Sequence, residues 1–551
     1  MIYFLIDMGI KEIAFKHALI NAIEFNGKCS FQAVLSKVLG ENQEFKKDMK
    51  TTVSLVKEIV EKVNKMSLSE QKKEFEKLGI KIEKKDEKKD LPELPEAQNG
   101  KVITAFPPEP SKYPHLGHAK AALINYMYAK KYNGKFFLRF EDTNPTLAKK
   151  EYYQAIINGL KWLGIEWDKI DYISDHIEEY YKYTEKLIKD GKAYVCLCQQ
   201  DQIKKNRANG IECEHRSAST KENLNLWKDM FNFNQGEATV RLKIDMNHVN
   251  TTMRDPSIIR IIDKEHVRTG KKYKLWPTYD FGTAVMDGLQ QVTHRVRSKE
   301  FEMRTELQHY IQDLLGFKRT FITEIARFNL EGVPSSGRII REMIAKNELL
   351  GWDDPRLTTL MALKRRGFLP EAIKEFLIST GISKAESTLT WDVLESFNRK
   401  HLDKIANRYF AVFDPVKIQL NVEKTVEEPL HPEFPERGKR ILKVSKEVYI
   451  SRSDYEKFFG KTVRLIGLFN VKLSDRPEYA GNTIEQNMPK IHWVPGENVK
   501  ISIVMNDGST REMIAENGIE SVKENEFVQF MRVGFARLDD KKRMLFYFTH
   551  N

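Results

Sequence analysis

The spacing of hydrophobic and polar positions along the chain first predicts a helical domain. Residues 1–80 repeat their hydrophobic positions at helical intervals. One helical stripe is formed by Val53, Val56, Ile59, Val60 and Val63. The next helix is expected to begin at Ser67, since Ser67-x-x-Glu70 has the spacing of a capping box. Residues 81–100 are rich in charge and offer little apolar surface to bury, so they predict a linker.

A different alternation follows and predicts a parallel β-sheet covered by helices. Short apolar runs such as KFFLRF alternate with longer helical runs such as YYQAIINGLKWL. This alternation weakens over residues 196–272, where three of the four cysteines occur. We therefore predict a three-layer α/β domain in two halves, residues 101–195 and 273–350, with residues 196–272 as an insertion.

The remaining regions are predicted to be helical and then β-rich. Residues 351–410 contain helical runs that are punctuated by Gly and Pro. Residues 411–551 contain short alternating runs with hairpin signals at Asp507-Gly508 and at Asp539-Asp540. Because short strands joined by hairpins are typical of closed β-sheets, we predict antiparallel β-barrels in this region.

Length, charge and cysteine usage narrow the class of protein. A chain of 551 residues exceeds what one hydrophobic core usually supports, so several domains are expected. No stretch predicts a membrane span or a cleaved signal peptide, and the four cysteines are not distributed as a disulfide framework, so a cytoplasmic protein is expected. The net charge of +12 favours a polyanionic partner such as nucleic acid, although a basic proteome also produces such a charge.

Two histidines mark the junction of a predicted strand and a predicted helix, in the sequence AFPPEPSKYPHLGHAKAALI. His115 and His118 are three residues apart, so both rings can reach one point from the first helical turn. That turn exposes N–H groups with a partial positive charge, and Gly117 allows close approach to the backbone, which suits a phosphate. Two other interpretations stay open: the histidines are metal ligands, or they are polar residues that satisfy a helix start.

Three cysteines and one histidine lie close together within the predicted insertion. Cys196-x-Cys198 and Cys213-x-His215 offer three thiolates and one imidazole, a set that satisfies tetrahedral zinc. The pattern predicts a closed, structural zinc site. The alternative is four reduced and unconnected side chains in a basic loop.

Motifs along nearly the full chain resemble those of class I aminoacyl-tRNA synthetases. FPPEPSKYPHLGHAKA resembles the HIGH element in the form found in glutamyl- and glutaminyl-tRNA synthetases. The resemblance continues through LRFEDTNP, GLKWLGIEWD, MRDPSIIRI, WPTYDFGTAV, GWDDPRLTTLMALKRRGF, PLHPEFPERGKR and VGFARLD. The helical start and the C-terminal barrels are similar to archaeal glutamyl-tRNA synthetases. The resemblance implies a Rossmann-like class I catalytic domain whose insertion binds the tRNA acceptor end, with anticodon-binding β-barrels.

This resemblance implies ATP-dependent ligation of glutamate to tRNA through a glutamyl-adenylate, with ATP and Mg²⁺ as cofactors. His115 and His118 would bind ATP and stabilise the phosphoryl transition state. Pro107 would lie beside the nucleotide, and Gly117 would leave room for it. Positioning and charge stabilisation would supply most of the acceleration, because little covalent catalysis is needed.

The second ATP-binding element of the family, the KMSKS loop, corresponds to the stretch LEGVPSSGRIIREMI. Neither lysine of the family motif is present there. The resemblance therefore assigns the ATP contacts to Ser335, Ser336 and Arg338, with Arg341 as an alternative cation for the phosphates. Without the family, Pro-Ser-Ser-Gly is only a loop.

For the amino acid, the resemblance points to Glu141, Tyr279 and Arg297 as substrate-binding residues. A carboxylate and a tyrosine can hold an ammonium group, and an arginine can pair with a carboxylate. The alternative is that Glu141 and Tyr279 are ordinary residues at strand ends.

One departure from the family concerns the substrate-binding cation. The family has an arginine directly before Phe-Pro-Pro, where this chain has Ala105. Losing one partner of a desolvated charge pair costs about 2–5 kcal/mol unless another cation replaces it. Candidates are Arg139, Arg295 and Arg297. Lys112 also departs from the family, which has glycine at that position.

The expected partners are glutamate and tRNA, the latter bound at its acceptor end and its anticodon. Similar Cys-x-Cys and Cys-x-His pairs occur at this location in some glutamyl-tRNA synthetases, where zinc would stiffen the acceptor-binding insertion. We expect a monomer without membrane contact, and charging of the glutamine tRNA stays open. The alternatives are a glutaminyl-tRNA synthetase and a catalytically impaired, tRNA-binding paralogue, which Ala105 and the lysine-free loop favour.

Overall fold

The structure is a computed structural model. It describes residues 2–24, 27–42, 45, 48–78, 91–334, 336–485 and 487–551. The chain divides into two compact units, Met1–Asp90 and Leu91–Asn551. The first ten residues of the predicted linker lie outside the described residues.

The first unit is helical, as its hydrophobic spacing predicts. Its described helices are α1 (Ile2–Glu24), α2 (Phe31–Glu41), α3 (Met49–Asn64) and α4 (Leu68–Lys77). In the predicted stripe of α3, Val56, Ile59, Val60 and Val63 are buried. The capping box before α4 is confirmed, because the Ser67 side chain accepts from the Glu70 N–H and the Glu70 side chain accepts from the Ser67 N–H.

The second unit begins with a parallel β–α alternation. Its elements are β1 (Ile103–Phe106), α5 (Leu116–Lys131), β2 (Lys135–Phe140), α6 (Lys150–Trp162), β3 (Lys169–Tyr172) and α7 (Ile177–Lys189). Both β1 and β2 form where short apolar runs predict strands, and they pair in parallel, with Ala105 opposite Phe137.

An antiparallel sheet follows. It is built from β4 (Ala193–Cys196), α8 (Gln200–Asn209), α9 (Thr220–Asp229), β5 (Thr239–Leu242), β6 (Ser257–Ile261) and β7 (Leu275–Pro277), with strand order β4-β5-β6-β7. This sheet extends beyond residues 196–272 at both ends. Its outer strands are as apolar as the strands of the parallel sheet, so the hydrophobic pattern does not mark where one sheet ends and the other begins.

The chain then returns to the parallel sheet through α10 (Tyr279–Leu289), β8 (His294–Ser298), α11 (Arg304–Leu314) and β9 (Phe321–Ile325). The strand order is β3-β2-β1-β8-β9, and all four neighbouring pairs are parallel. The order reverses between β1 and β8. Ligands of such sheets bind outside the carboxyl ends of the strands at this switch point, and α5 begins there.

A mainly helical segment connects this sheet to the C-terminal region. It contains β10 (Phe328–Leu330), α12 (Gly337–Ala345), α13 (Leu360–Arg366), α14 (Pro370–Ser379), β11 (Ser387–Leu389) and α15 (Trp391–Ile405). Strands β10 and β11 pair in parallel. Helix α13 ends at Gly367, whose φ of +102° allows the left-handed cap and whose N–H donates to Leu363 O.

The C-terminal region is β-rich. Its elements are β12 (Asn407–Tyr409), β13 (Ala411–Phe413), β14 (Pro415–Pro429), β15 (Lys439–Ser451), α16 (Arg452–Lys457), β16 (Thr462–Leu465), β17 (Asn470–Lys472), β18 (Glu478–Tyr479), β19 (Lys490–Ile491), β20 (Val494–Pro495), β21 (Asn498–Val504), β22 (Thr510–Glu516), β23 (Phe527–Phe530), β24 (Gly534–Asp540) and β25 (Leu545–His550). The largest sheet has the order β12-β23-β24-β25-β21-β22-β13.

Two predictions for this region need correction. The sheets are not purely antiparallel, because β12 pairs with β23, β16 with β19 and β21 with β25 in parallel. Hairpin signals report only strands that are neighbours in sequence, whereas these pairs join distant ones. The last hairpin also turns after Asp540 rather than at Asp539-Asp540, which are the final residues of β24. The hairpin at Asp507-Gly508 is confirmed between β21 and β22.

Among the described helices, none has both the length and the apolar character that a bilayer crossing requires.

Candidate active site

The two predicted histidines form the start of α5, at the switch point of the parallel sheet. His115 is the N-cap residue, and its Nδ1 accepts a hydrogen bond from Gly117 N at 3.0 Å. His118 Nδ1 accepts from His115 N at 3.2 Å, and the ring centroids are 4.0 Å apart. Because each Nδ1 accepts, each neutral ring carries its proton on Nε2. The pair therefore presents two Nε2–H donors.

Burial and neighbouring cations keep both rings neutral. Burial, and then the charges of Lys112 and Arg327, lower the pKa of His115 to about 3. Burial and the His115 ring lower the pKa of His118 well below its usual value, with smaller contributions from the same two cations. The site therefore combines neutral N–H donors, two nearby cations and a helix N-terminus, an arrangement that favours an anion.

The loop before α5 is held in a defined shape. Leu116 N donates to Thr358 O at 3.2 Å, and Leu360 N donates to Pro114 O at 2.8 Å. A Cβ atom on Gly117 would lie 2.9 Å from Cε1 of His115, so a side chain there would displace the ring. Pro107 is half-buried directly after β1.

The second predicted ATP loop lies between β10 and α12. Ser335 lies outside the described residues. Ser336 is exposed and is the N-cap residue of α12, although its side chain makes no capping hydrogen bond. The Arg338 side chain is 82% exposed, and its Nε lies 3.6 Å from Glu342 Oε1. Arg338 therefore projects from the outer face of α12.

Other cations connect this loop with the histidine loop. Arg341 Nη1 lies 3.5 Å from Ser111 O. A Cβ atom on Gly337 would lie 3.3 Å from Cδ of Lys112, so the lysine stem packs against the start of α12. Burial, followed by the charge of Arg327, lowers the pKa of Lys112. Lys112, which the sequence presented only as a departure from the family, thus lies between the two loops.

Glu141 and Tyr279 lie near the carboxyl end of the sheet. Glu141 follows β2 and is 8% exposed, and one of its carboxylate oxygens accepts a hydrogen bond from Thr283 Oγ1. Burial raises the pKa of Glu141 to about 7, although Arg139 and Thr283 favour its ionised form. Tyr279 begins α10, and its ring packs against Phe301 with the centroids 5.2 Å apart. The carboxylate and the phenol influence each other, because Glu141 also raises the pKa of Tyr279 after the larger effect of burial.

A row of arginines covers the face of the sheet that carries Ala105. Because strand residues alternate between faces, the parallel registers of β1, β2 and β8 place Arg139, Arg295 and Arg297 on the same face as Ala105. All three arginines are buried. Ala105 itself belongs to a small hydrophobic cluster with Phe137 and Val292, on the same face as the guanidinium groups.

Two of these arginines share one carboxylate. Asp287 Oδ1 lies 2.8 Å from Arg139 Nη2, and Asp287 Oδ2 lies 3.0 Å from Arg295 Nη1. Gln308 Oε1 accepts from Arg295 Nη2 at 2.7 Å and from Arg297 Nη1 at 2.8 Å. These contacts hold the guanidinium groups in one buried network.

Arg297 differs from its neighbours in its remaining partners. Its Nη2 donates to Thr305 Oγ1 at 2.6 Å and to Phe301 O at 3.0 Å. Within the described ranges, no carboxylate oxygen lies within 4.0 Å of the Arg297 guanidinium. Unlike Arg139 and Arg295, Arg297 therefore has no directly paired carboxylate among the described residues, and an anionic ligand would neutralise its charge.

The predicted cysteine cluster is assembled. One ligand atom from each of Cys196, Cys198, Cys213 and His215 lies within 4.8 Å of every other. Cys196 Sγ lies 3.7 Å from Cys213 Sγ, and Cys198 Sγ lies 3.5 Å from His215 Nδ1. A tetrahedral zinc with Zn–S bonds of about 2.3 Å and Zn–N bonds of about 2.1 Å requires edges of about 3.8 and 3.6 Å. The donor set and its spacing fit zinc.

Comparison with known proteins identifies the family. Residues 101–404 match the tRNA synthetases class I (E and Q), catalytic domain. Residues 406–489 and 490–539 match two anti-codon binding domains of the same group. The chain belongs to the class I tRNA synthetases of the E and Q type. In this E/Q synthetase, a parallel-sheet catalytic domain is thus followed by β-rich anticodon-binding domains.

The E/Q synthetase is similar to proteins named glutamate–tRNA ligase. The Pyrococcus furiosus relative is 44% identical, with 97% of this chain and 98% of the relative covered. The Nitrosopumilus maritimus relative is 41% identical, with 99% of this chain and 100% of the relative covered. Among solved structures, a glutamate tRNA ligase from Elizabethkingia meningosepticum matches with a TM-score of 0.42 and 19% identity, covering 56% of this chain and 70% of that chain.

Several residues of the E/Q synthetase pocket escape prediction from sequence. Thr283, Asp287 and Gln308 hold Glu141 and the arginines, yet each occurs in an ordinary helical run. One signal was available in β8, where Arg295 and Arg297 alternate within a strand of a buried sheet. Arginines on one face of a buried strand require anionic or polar partners.

Proposed function

We propose that this protein ligates glutamate to tRNA at the expense of ATP, through a glutamyl-adenylate. The observation that carries the proposal is the near full-length similarity to relatives named glutamate–tRNA ligase. The α-carboxylate of glutamate attacks the α-phosphorus of ATP and pyrophosphate leaves. A hydroxyl at the tRNA 3′ end then attacks the glutamyl-adenylate, takes the glutamyl group and releases AMP.

At the nucleotide end, His115 and His118 direct their Nε2–H donors at the phosphates, beside the N-terminus of α5. Gly117 and Pro107 leave room for the nucleotide. We assign the remaining ATP contacts to Ser335, Ser336 and Arg338 of the second loop. Mg²⁺ bound with the nucleotide would supply charge neutralisation on the leaving pyrophosphate.

At the amino-acid end, Glu141 and Tyr279 hold the ammonium group, and Arg297 binds a carboxylate. The other buried cations of the network, Arg139 and Arg295, supply positive charge on the face where Ala105 cannot. Glutamate has one more carboxylate than glutamine, so a pocket in which the buried Arg297 has no directly paired carboxylate among the described residues favours glutamate.

The remaining regions position the tRNA. We assign acceptor-end binding to residues 196–272, within a Rossmann-like domain formed by residues 101–195 and 273–350. Residues 351–410 form a helical connection, and residues 411–551 form β-barrels that bind the anticodon. Residues 1–80 form a separate helical domain behind the linker at 81–100. The protein acts as a cytoplasmic monomer.

Glutamate-dependent exchange between ATP and pyrophosphate tests this function. It is measured with and without tRNA, because some synthetases of this group need the RNA to activate the amino acid. We expect exchange with glutamate and at least tenfold less with glutamine. Exchange that prefers glutamine would indicate a glutaminyl-tRNA synthetase. No exchange under either condition would indicate a protein that only binds tRNA.

The raised pKa of Glu141 predicts a pH dependence of glutamate binding. Since this carboxyl has a pKa of about 7, it is mainly protonated below that pH and cannot pair with the ammonium group. We expect the KM for glutamate to fall about tenfold between pH 6 and pH 8. Glu141→Gln should remove this dependence and leave a high KM throughout. A wild-type KM that is constant over this range would contradict the assignment.

We also propose that Cys196, Cys198, Cys213 and His215 hold a structural zinc ion. A site with four protein ligands is closed, so the metal does no chemistry and supports the fold of the insertion. His215 binds through Nδ1, the nitrogen that faces Cys198 Sγ. Zinc thus connects β4 with the turn that follows α8.

Metal removal tests this site. Purified protein is expected to contain about one equivalent of zinc, and chelation should lower the Tm of the insertion because the binding free energy is also folding free energy. Cys213→Ser should lose the metal. Cys29→Ala is the matched control, since Cys29 belongs to the other compact unit. Less than a tenth of an equivalent in the wild type would refute the zinc site.

A further inference from the structure

Arg241 lies beside the cysteine cluster and is completely buried. It belongs to β5, and its relative exposure is 0%. Its Nη1 lies 3.9 Å from Cys196 Sγ and 3.8 Å from Cys213 Sγ, within reach of hydrogen bonds to sulfur. Its Nε donates to Asp255 O at 2.8 Å, and its Nη2 lies 3.7 Å from Met246 Sδ. The guanidinium is thus fixed with one nitrogen directed between two sulfur atoms.

Among the described residues, the guanidinium of Arg241 is paired with no carboxylate. In the part of the chain that the structure describes, no carboxylate oxygen lies within 4.0 Å of its guanidinium. Asp255 is the acid nearest in the network, but its Oδ2 pairs with Arg216 Nε at 2.8 Å and accepts from Tyr194 Oη at 3.1 Å. Its Oδ1 accepts from Ile244 N at 2.8 Å. A buried cation without a counter-ion is strongly unfavourable, so Arg241 requires another source of negative charge.

The proposed metal centre supplies that charge. A zinc ion with three thiolates and one neutral imidazole carries one net negative charge. Arg241 carries one positive charge and contacts two of the three sulfurs. The centre and the arginine together are therefore neutral, which is the arrangement that burial favours.

We propose that Arg241 is the counter-ion of the zinc centre, and that metal binding and the burial of this arginine depend on each other. The proposal rests on the zinc site proposed above. Arg241 stabilises the thiolate form of two ligands, and the thiolates in turn stabilise the buried guanidinium. Such contacts around the ligands tune metal affinity.

Because Arg241 also contacts the backbone of the neighbouring loop, loss of the metal should affect more of the antiparallel sheet than the metal-binding turn. The same guanidinium binds Asp255 O, in the loop before β6, while β5 pairs with both β4 and β6. Without the metal, the two sulfur atoms are no longer held against Arg241, and the buried guanidinium of the antiparallel sheet loses the negative charge of the centre. Zinc loss should therefore destabilise the whole insertion and not only its metal-binding turn.

Arg241→Met tests the role of the charge, because methionine retains much of the buried stem. Zinc affinity is measured on the full-length protein by competition with a chromophoric chelator. We expect at least a tenfold loss of affinity, and a smaller loss for Arg241→Lys, which keeps the charge. Arg207→Met is the matched control: Arg207 belongs to the insertion but donates to the carbonyls of Arg254 and Thr251 and not to sulfur. It should bind zinc as the wild type does.

A second ligand set separates charge balance from packing. Cys198 is only partly buried, and Cys198→His converts the centre to two thiolates and two imidazoles, which is neutral with zinc. In that background the zinc centre carries no net charge, so it does not need Arg241 as a counter-ion. We expect Arg241→Met to reduce zinc affinity less than threefold there, so the two substitutions should be strongly non-additive.

The outcomes distinguish this proposal from the zinc site itself. If the wild type holds no zinc, both proposals fall. If the wild type holds zinc and Arg241→Met leaves its affinity unchanged, or lowers it equally in both backgrounds, Arg241 is not the counter-ion. If Arg241→Met is insoluble alone but soluble and zinc-bound together with Cys198→His, the counter-ion role is supported.

Discussion

Replacement of His115 by asparagine is expected to lower kcat for glutamate-dependent exchange about 100-fold, which corresponds to about 3 kcal/mol in the barrier. The variant removes one Nε2–H donor from the phosphates. Asparagine is a favourable N-cap residue, so it can still accept the hydrogen bond from Gly117 N and keep the start of α5 intact. The measurement is steady-state exchange together with thermal unfolding.

The Tm of the His115→Asn variant is expected to equal that of the wild type. His401→Ala serves as the control, because His401 lies on α15 and pairs with Glu375 at 3.1 Å, outside the proposed active site. It should retain wild-type activity. If His115→Asn keeps more than a third of the wild-type kcat, the histidine pair does not stabilise the transition state. A loss of activity that parallels a loss of Tm would instead assign His115 a structural role.

Replacement of Arg297 by methionine is expected to raise the KM for glutamate by a factor of about 30 or more. The guanidinium is buried and has no carboxylate partner among the described residues, so a substrate carboxylate is the partner that it lacks. Removing one member of a desolvated charge pair costs about 2–5 kcal/mol. The KM for ATP should change little, because the histidine pair and the second loop are unaltered.

The control for this variant is Arg319→Met. Arg319 follows α11, is 62% exposed and already pairs with Asp313 at 2.6 Å. Exposed ion pairs contribute little, so glutamate binding should be unaffected. If the Arg297→Met enzyme has the wild-type KM for glutamate, Arg139 or Arg295 binds the substrate carboxylate instead. A change in the KM for ATP alone would place Arg297 at the nucleotide.

Local sequence patterns predicted much of the fold and part of the candidate site. β2 spans the run KFFLRF as predicted, and α4 begins after the capping box at Ser67. The histidine pair lies at the start of a helix after a strand, as its loop and glycine suggest. In each case the interactions that determine the local structure join residues a few positions apart. Both partners therefore occur in one short stretch of sequence.

Contacts between distant segments were not predictable in the same way. The parallel pairs of the C-terminal region join strands that are not neighbours in sequence, and β12 pairs with β23 across more than a hundred residues. Asp287 reaches Arg139 across a similar separation, and Lys112 meets the start of α12 only because two loops converge. Hydrophobic periodicity predicts that a residue is buried, but it does not predict which distant residue will contact it.

By itself, the sequence determined several element starts, such as those of β2 and α4, the place of the histidine pair at the start of α5, and the four candidate zinc ligands, because spacing along the chain and hydrogen-bond geometry act over a few residues. Only the tertiary structure decided how charge is balanced: among the described residues it placed no carboxylate within 4.0 Å of Arg297, and it set Arg241 against two sulfurs. Charge compensation in a buried site depends on distances between segments, and those distances exist only after the chain has packed.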